Sequence, residues 1–428
     1  YNHLGNVGNV LPRFSPAYLG TGPNDWGAAM NYDEGDTQPM RAFVTENVAY
    51  WIDEFHLDGY RFDATQSIVD HSTPHILAEA VTTARAAAGT KSIYLIAENE
   101  PQDSRLARAQ AAGGTGLDAL WNDDFHHAAF VALTGHREAY FVDYTGRARE
   151  LAACVRHGFL FQGQRYRWQK KARGRSTRGL PPDAFVTFLE NHDQLANYGL
   201  GERLWTRVAP GRLRALTALL LLAPGTPLLF QGQEWNASAR FCYFADHETK
   251  HAALVKAGRA EFLQQFPRYG RADARDRFPD PAAPATFESS RLDWRERDAP
   301  AHGRALALHR DLLQLRREDA TLRREARDGA SVDAAALTDE ALVVRFFGVD
   351  ESGAEDRLLV VNLGADLAPS SISEPLVAPP VDARWSVAWS SDDPRYGGEG
   401  TRETQVGHGL FLPGEAAVLL VPAREEVP

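Results

Sequence analysis

Apolar positions along the chain fall into two regimes, one of helices alternating with short buried strands and one of strands alone. The first opens with Val44, Val48, Trp51, Ile52 and Phe55, which recur at spacings of three and four and so line one helical face. Thr37 is placed to cap that helix, and Pro39 suits its first turn, where a missing N–H costs nothing. Residues 57–66 then predict a short strand, with Tyr60 and Phe62 suited to a pleated surface and Gly59 opening the run. The next helix is predicted from Ser72, as cap, through Pro74 in its first turn to a stop at Gly89. Ile76, Leu77, Ala80, Val81 and Ala84 form its inward face. Residues 92–98 are apolar on both faces until Glu98, the pattern of a strand buried in a parallel sheet. Further strands are predicted at 117–121, 184–189 and 226–231. Further helices are predicted at 103–112, near 126–134 and 147–156, at 213–223 and at about 301–317.

This alternation implies right-handed βαβ units and a parallel sheet. Each predicted strand ends in polar residues, and sites drawn from several strand ends are the habit of one architecture. The expected fold class is therefore α/β, a (β/α)8 TIM barrel, although five strands are predicted where such a barrel has eight. Further along, 342–347, 357–363, 384–390 and 416–421 read as strands between Gly-, Pro-, Asp- and Ser-rich turns. The expectation is a catalytic barrel over residues 1–325 and a C-terminal antiparallel β-sandwich over 326–428.

Composition narrows the partners. The 428-residue chain is 44% hydrophobic and 24% charged, with a formal net charge of −11. That balance suits a neutral substrate and argues against nucleic acid or an anionic membrane surface. In so acidic a protein the basic run at 165–179 reads as a solvated loop. Cys154 and Cys242 lie far apart and in no metal-ligand spacing. The longest apolar run, 215–223, is too short to span a bilayer. No metal and no cofactor are expected, and a cytoplasmic location is the default.

The candidate chemistry lies at the strand ends. Arg61 and Asp63 are two apart, so they share a face of their strand. Alone, they read as a structural ion pair before a site. Asp63, Glu98 and Asp193, however, all stand at ends of predicted strands, and like charges that converge need a reason to do so. One chemistry uses such a set directly. A retaining glycosidase pairs a carboxylate nucleophile with a carboxylic acid, and its oxocarbenium-like transition state profits from further negative charge. Trp121, Trp235 and Tyr32 suit stacking on pyranose rings and core packing equally.

The motifs name a family. Asp58-Gly59-Tyr60-Arg61-Phe62-Asp63 resembles the nucleophile motif of the α-amylase superfamily, and Ile96-Ala97-Glu98-Asn99 its acid motif. Asn191-His192-Asp193 resembles its third carboxylate motif, and Tyr1-Asn2-His3 the end of its first. Within the superfamily, 64–71, 122–127, 188–194, 232–235, 244–247, 279–281 and 292–294 resemble the maltooligosyltrehalose trehalohydrolases. These hydrolyse the α-1,4 bond next to the terminal trehalose of a maltooligosyl-trehalose. The resemblance implies that Asp63 is the nucleophile, Glu98 the acid and then base, and Asp193 the transition-state stabiliser, with Arg61 holding Asp63 ionised. It implies that His3 and His192 bind sugar hydroxyls where the bond breaks. Asp123, Asp124 and His126 would line the leaving side, and Gln66, Gln194 and Asn197 would add substrate contacts.

The expected partner is maltooligosyl-trehalose or another α-1,4-glucan. A branching enzyme or other transferase of the superfamily would use the same carboxylates and pass the glycosyl group to a sugar. A non-catalytic glucan-binding protein on such a barrel would lose one or more of them, and all three are present. In many amylases the match of Asn2 binds calcium, but the trehalohydrolases do not generally need that ion. Tyr1-Asn2-His3 would be the tail of the barrel's third strand, so the resemblance implies an N-terminally truncated chain.

Overall fold

In a computed structural model of the chain, the residues described are 10–24, 27–198, 200–269, 278–323, 331–349, 352–368, 372–406 and 409–424. They form two compact units. The first comprises Tyr1–Asp123, Phe161–Arg165 and Ala172–Val186. Its parallel sheet runs Gly59–Phe62, Tyr94–Ala97, Ala119–Trp121, Phe185–Thr187. Phe62 lies opposite Ala97, Ala97 opposite Leu120, and Trp121 opposite Val186. Leu95, Ala97 and Ala119 are completely buried, as strands covered on both faces require.

The helix Gln38–Asp53 carries Pro39 in its first turn, and Thr37 makes no side-chain cap. The helix Ile76–Ala88 stops at Gly89 but starts later than the sequence predicts. Asp70 Oδ2 accepts from Ile76 N–H at 2.5 Å, and His75 Nδ1 accepts from Leu77 N–H at 3.1 Å. Ser72 turns instead to Asp70, donating its hydroxyl to Oδ1 at 2.5 Å.

Two predictions fail in this unit for identifiable reasons. Residues 103–112 form two 3-10 turns, Ser104–Ala107 and Gln110–Ala112, in place of a helix. The returning chain takes the carbonyls an α-helix would use: Thr115 N–H donates to Arg105, Leu117 N–H to Leu106 and Gly116 N–H to Arg108. Gly114 makes that approach achievable, since a Cβ there would sit 2.1 Å from the Arg108 oxygen. The basic run is also not a solvated loop throughout. Arg173 is 2% exposed, and Thr177 is buried. Gly174 N–H donates to Pro101 at 2.8 Å, and Ser104 Oγ donates to the Ser176 carbonyl at 2.8 Å. The segment is a strap over the loop that follows Glu98.

The second unit comprises Asp124–Leu160, Tyr166–Lys171 and Thr187–Pro428. Thr187 accepts from Leu228 N–H at 2.8 Å beside the strand Thr226–Pro227. This strand is shorter than predicted, and Pro227 has no N–H to give a ladder. The helix Pro210–Leu222 is buried from Ala215 to Leu222. Arg316, from the helix Pro300–Glu318, donates to the carbonyls of Leu221, Ala223 and Gly225 at its C-terminal end. A helix at Thr249–Leu263 was not predicted, because it buries only Leu263 and shows no apolar stripe.

The C-terminal part of this unit is an antiparallel sheet in the order Val332–Ala336, Ala341–Phe346, Arg357–Asn362, Ala416–Arg424, Ala383–Ser390. Val343, Leu358, Val360, Trp385, Val418 and Leu420 form its core, covered by Leu367, Leu376, Leu410 and Leu412. The sheet docks on two helices. Arg156 of Ala148–His157 pairs with Asp333 at 2.9 Å, and Arg214 of Pro210–Leu222 donates to the Ser391 carbonyl at 2.9 Å. No helix among the described residues is long and apolar enough to cross a membrane.

Candidate active site

In the first unit the strand Gly59–Phe62 delivers Arg61 and Asp63, and the strand Tyr94–Ala97 delivers Glu98. Arg61 serves both acids. Its Nη1 donates to Asp63 Oδ1 at 2.5 Å and its Nη2 to Glu98 Oε2 at 2.6 Å. The guanidinium lies over the Trp121 ring, 4.2 Å from its centroid, so its plane and direction are fixed. Asp63 is the more exposed acid, with 37% of its side chain accessible against 24% for Glu98.

The turn after Asp63 locks onto the Glu98 strand end. Ala64 is left-handed (φ 42°, ψ 46°), and its N–H donates to Glu98 Oε2 at 3.0 Å. Thr65 N–H and Oγ1 both donate to the Glu98 carbonyl, at 3.0 and 2.6 Å, and Asn99 Nδ2 donates to Thr65 Oγ1 at 3.0 Å. A non-glycine residue held at positive φ costs on the order of 1–3 kcal/mol and persists where surrounding contacts over-determine it. Here those contacts set the two carboxyls. Gln66 sits exposed on this turn.

Asp123 follows the strand Ala119–Trp121 with 18% of its side chain accessible, 3.9 Å from the buried guanidinium of Arg173. Arg173 Nη1 also pairs with Glu100, two residues beyond Glu98. The sequence hides this role inside a charge run that reads as solvated; Gly174 beside it adopts φ +73°, and a Cβ there would lie 1.7 Å from the Phe161 oxygen, so the chain is close-packed at this point.

In the second unit the short helix His192–Asn197 carries four of the expected residues. Asn191 caps it, its Oδ1 accepting from Gln194 N–H at 2.7 Å. His192 and Asp193 are partly exposed, their side chains 44% and 42% accessible and 3.3 Å apart at His192 Nε2 and Asp193 Oδ2. Tyr140 donates its hydroxyl to Gln194 Oε1 at 3.3 Å. Asn197 Oδ1 accepts from Arg259 Nη1 at 2.6 Å. Just before the helix, buried Glu190 accepts from Leu204 N–H at 2.6 Å and lies 3.6 Å from buried Arg203. Burial pushes the Glu190 carboxyl up and the Arg203 guanidinium down, and each is partly offset by the other.

Asp124 and His126 lie deeper than direct sugar contacts require. Asp124 is fully buried and accepts from the Tyr144 hydroxyl at 2.6 Å. His126 is 2% exposed between the rings of Phe130 and Phe188, and burial lowers its pKa from 6.5 to about 3. Trp121, Trp235 and Tyr32 are all buried, so the balance between stacking and packing falls to packing. His3, with Tyr1, Asn2 and Trp26, lies outside the described residues.

Known proteins match along most of the chain. Residues 329–419 match the family "Domain of unknown function (DUF3459)". The malto-oligosyltrehalose trehalohydrolase of Deinococcus radiodurans is 37% identical over 385 residues, covering 89% of this chain and 60% of the relative. That of Arthrobacter ramosus is 38% identical over 326 residues, covering 74% and 55%. The chain thus spans little more than half the length of these curated relatives. Among solved structures, a Salmonella typhimurium protein classed provisionally as an alpha amylase superposes with a TM-score of 0.81 at 30% identity, covering 98% of this chain and 66% of that one. Pullulanase type I of Bacillus subtilis, complexed with maltose, gives a TM-score of 0.58 at 18% identity over 94% and 49%, a likeness of fold. The parallel strands and their helices are those of a (β/α)8 barrel, followed by a β-sandwich domain. By these relatives and by the order of its motifs, the chain is similar along most of its length to the malto-oligosyltrehalose trehalohydrolases of the α-amylase superfamily.

Proposed function

We propose that this chain carries the catalytic machinery of a retaining glycoside hydrolase that cleaves the α-1,4 bond next to the terminal trehalose of a maltooligosyl-trehalose. The observation that carries it is the single Arg61 guanidinium bonded to both Asp63 and Glu98. One cation serving two carboxyls favours the short separation of a double displacement, about 5–5.5 Å, over the roughly 6.5–9.5 Å of an inverting enzyme.

The roles follow from chemistry. Asp63 attacks the anomeric carbon while Glu98 gives its proton to the glycosidic oxygen, and trehalose leaves. Water then attacks the glycosyl–Asp63 ester, its proton passes to Glu98, and the anomeric configuration is retained. Arg61 and the Ala64 N–H both hold the Glu98 carboxyl through Oε2, which fixes its position for the proton transfer. Asp193 stabilises the oxocarbenium-like transition state. His3, Gln66, Asp123, His192, Gln194 and Asn197 contact substrate, and Asp124 and His126 support the leaving side from beneath.

We place the substrate among neutral α-1,4-glucans and the protein in the cytoplasm, where two buried free cysteines stay reduced. We assign the barrel to residues 1–325 and the β-sandwich to 326–428.

The deciding assay incubates the intact protein with maltooligosyl-trehalose and measures free trehalose. Turnover of plain glucan with no preference for the trehalose end sinks the trehalose assignment, and glycosyl transfer to a second sugar selects a transferase. Asp63→Asn is expected to lower kcat on the order of ten-thousand-fold, and survival of turnover removes Asp63 as nucleophile.

A further inference from the structure

The helix His192–Asn197 has six residues, too few to be stable without tertiary support. Its N-terminal end is closed locally by Asn191, and its C-terminal end is closed by a side chain from far along the chain. Arg259, on the helix Thr249–Leu263, donates from Nη1 to Asn197 Oδ1 at 2.6 Å and from Nη2 to the Ala196 carbonyl at 2.8 Å. A fork of two donors on adjacent acceptors fixes direction as well as distance. The guanidinium is itself held by rings, 4.6 Å from the Tyr243 centroid and 5.1 Å from that of Phe262. A cation at this end also complements the partial negative charge of a helix C-terminus.

We propose that Arg259 is a positioning residue for the third carboxylate: by clamping Ala196 and Asn197 it sets where Asp193 and Gln194 stand against the glucan. The inference rests on the hydrolase reading above, in which Asp193 stabilises the transition state. Arg259 touches no reacting atom, so its effect passes through the placement of the short helix.

The test measures kcat and KM of the intact protein with maltooligosyl-trehalose. Arg259→Met is expected to lower kcat about a hundredfold while KM moves by less than about threefold, the pattern of a misplaced catalytic group. Arg259→Lys, which keeps the charge and loses the fork, is expected to lower kcat about tenfold, and it decides the matter if the methionine variant does not fold. In an Asp193→Asn background, Arg259→Met is expected to cost less than about threefold more, because the group it positions is already disabled. Wild-type kcat in the lysine variant, or an undiminished hundredfold loss in the Asp193→Asn background, overturns the proposal. A wild type that cleaves plain glucan without releasing trehalose sinks only the substrate assignment, and the same variants are then read on that glucan. A wild type that turns over no α-glucan sinks the hydrolase reading and this inference with it.

Discussion

Two residues show how local conformation and burial act on the site and on stability. Gly59 opens the Asp63 strand at φ +147°, and a Cβ there would lie 1.9 Å from the Tyr94 oxygen on the neighbouring strand. Gly59→Ala must push the Asp63 and Glu98 strands apart, and we expect a loss of about 3 kcal/mol or more in chemical denaturation. Unchanged stability would mean that the strands yield freely at that end. His126 makes a prediction in pH. Its folded pKa lies near 3 against 6.5 in solution, so the unfolded chain takes up a proton throughout that window and the folded one does not. Stability from this group is therefore complete above pH 6.5 and falls as pH drops toward 3, by about 1.4 kcal/mol per unit and on the order of 5 kcal/mol in all. His126→Phe, which keeps the ring stack, is expected to flatten the acid limb of the midpoint-versus-pH curve, and an unaltered limb would place the acid sensitivity elsewhere. The carboxylates themselves were legible in the sequence because strand ends and motif order mark them. The burial of His126 and Asp124 was not, since nothing in a sequence tells a helix face turned to a cleft from one turned to a core.

Elements were legible where their apolar residues form a stripe or a run. The helices Ile76–Ala88 and Pro210–Leu222 bury six and nine residues respectively, and both were anticipated. The helix Thr249–Leu263 buries one, and no apolar stripe marks it. Arg259 lies on that unmarked helix, and its clamp on Asn197 is a tertiary contact that no local pattern signals. Buried cations were the other blind spot. In the C-terminal sheet Arg345 is 9% exposed, bonded through Nε and Nη2 to Asp356 at 2.9 and 2.7 Å and through Nη1 to the Leu376 and Ala378 carbonyls. Removing one partner of such a pair strands the other without compensation. Arg345→Met is expected to cost about 3–5 kcal/mol, and pairing it with Asp356→Leu to recover much of that loss. Equal instability of single and double variants would show that packing against Trp385, and not charge, holds the site.

On the scale of the molecule, the strand alternation was enough to anticipate a parallel sheet and a separate antiparallel one, because the period of the apolar pattern changes between them. Strand order in the C-terminal sheet was beyond reach, since it depends on which edges meet. That order has a consequence for how the protein is made. Ala416–Arg424, the last strand described, pairs with Arg357–Asn362 on one side and Ala383–Ser390 on the other. Synthesis proceeds from the N-terminus, so Ala383–Ser390 leaves the ribosome without its neighbour, and three earlier strands wait with an open edge. The sheet can close only when residues near 424 are free of the exit tunnel. Until then it presents unpaired backbone of the kind that aggregates, and its assembly is a late, long-range step.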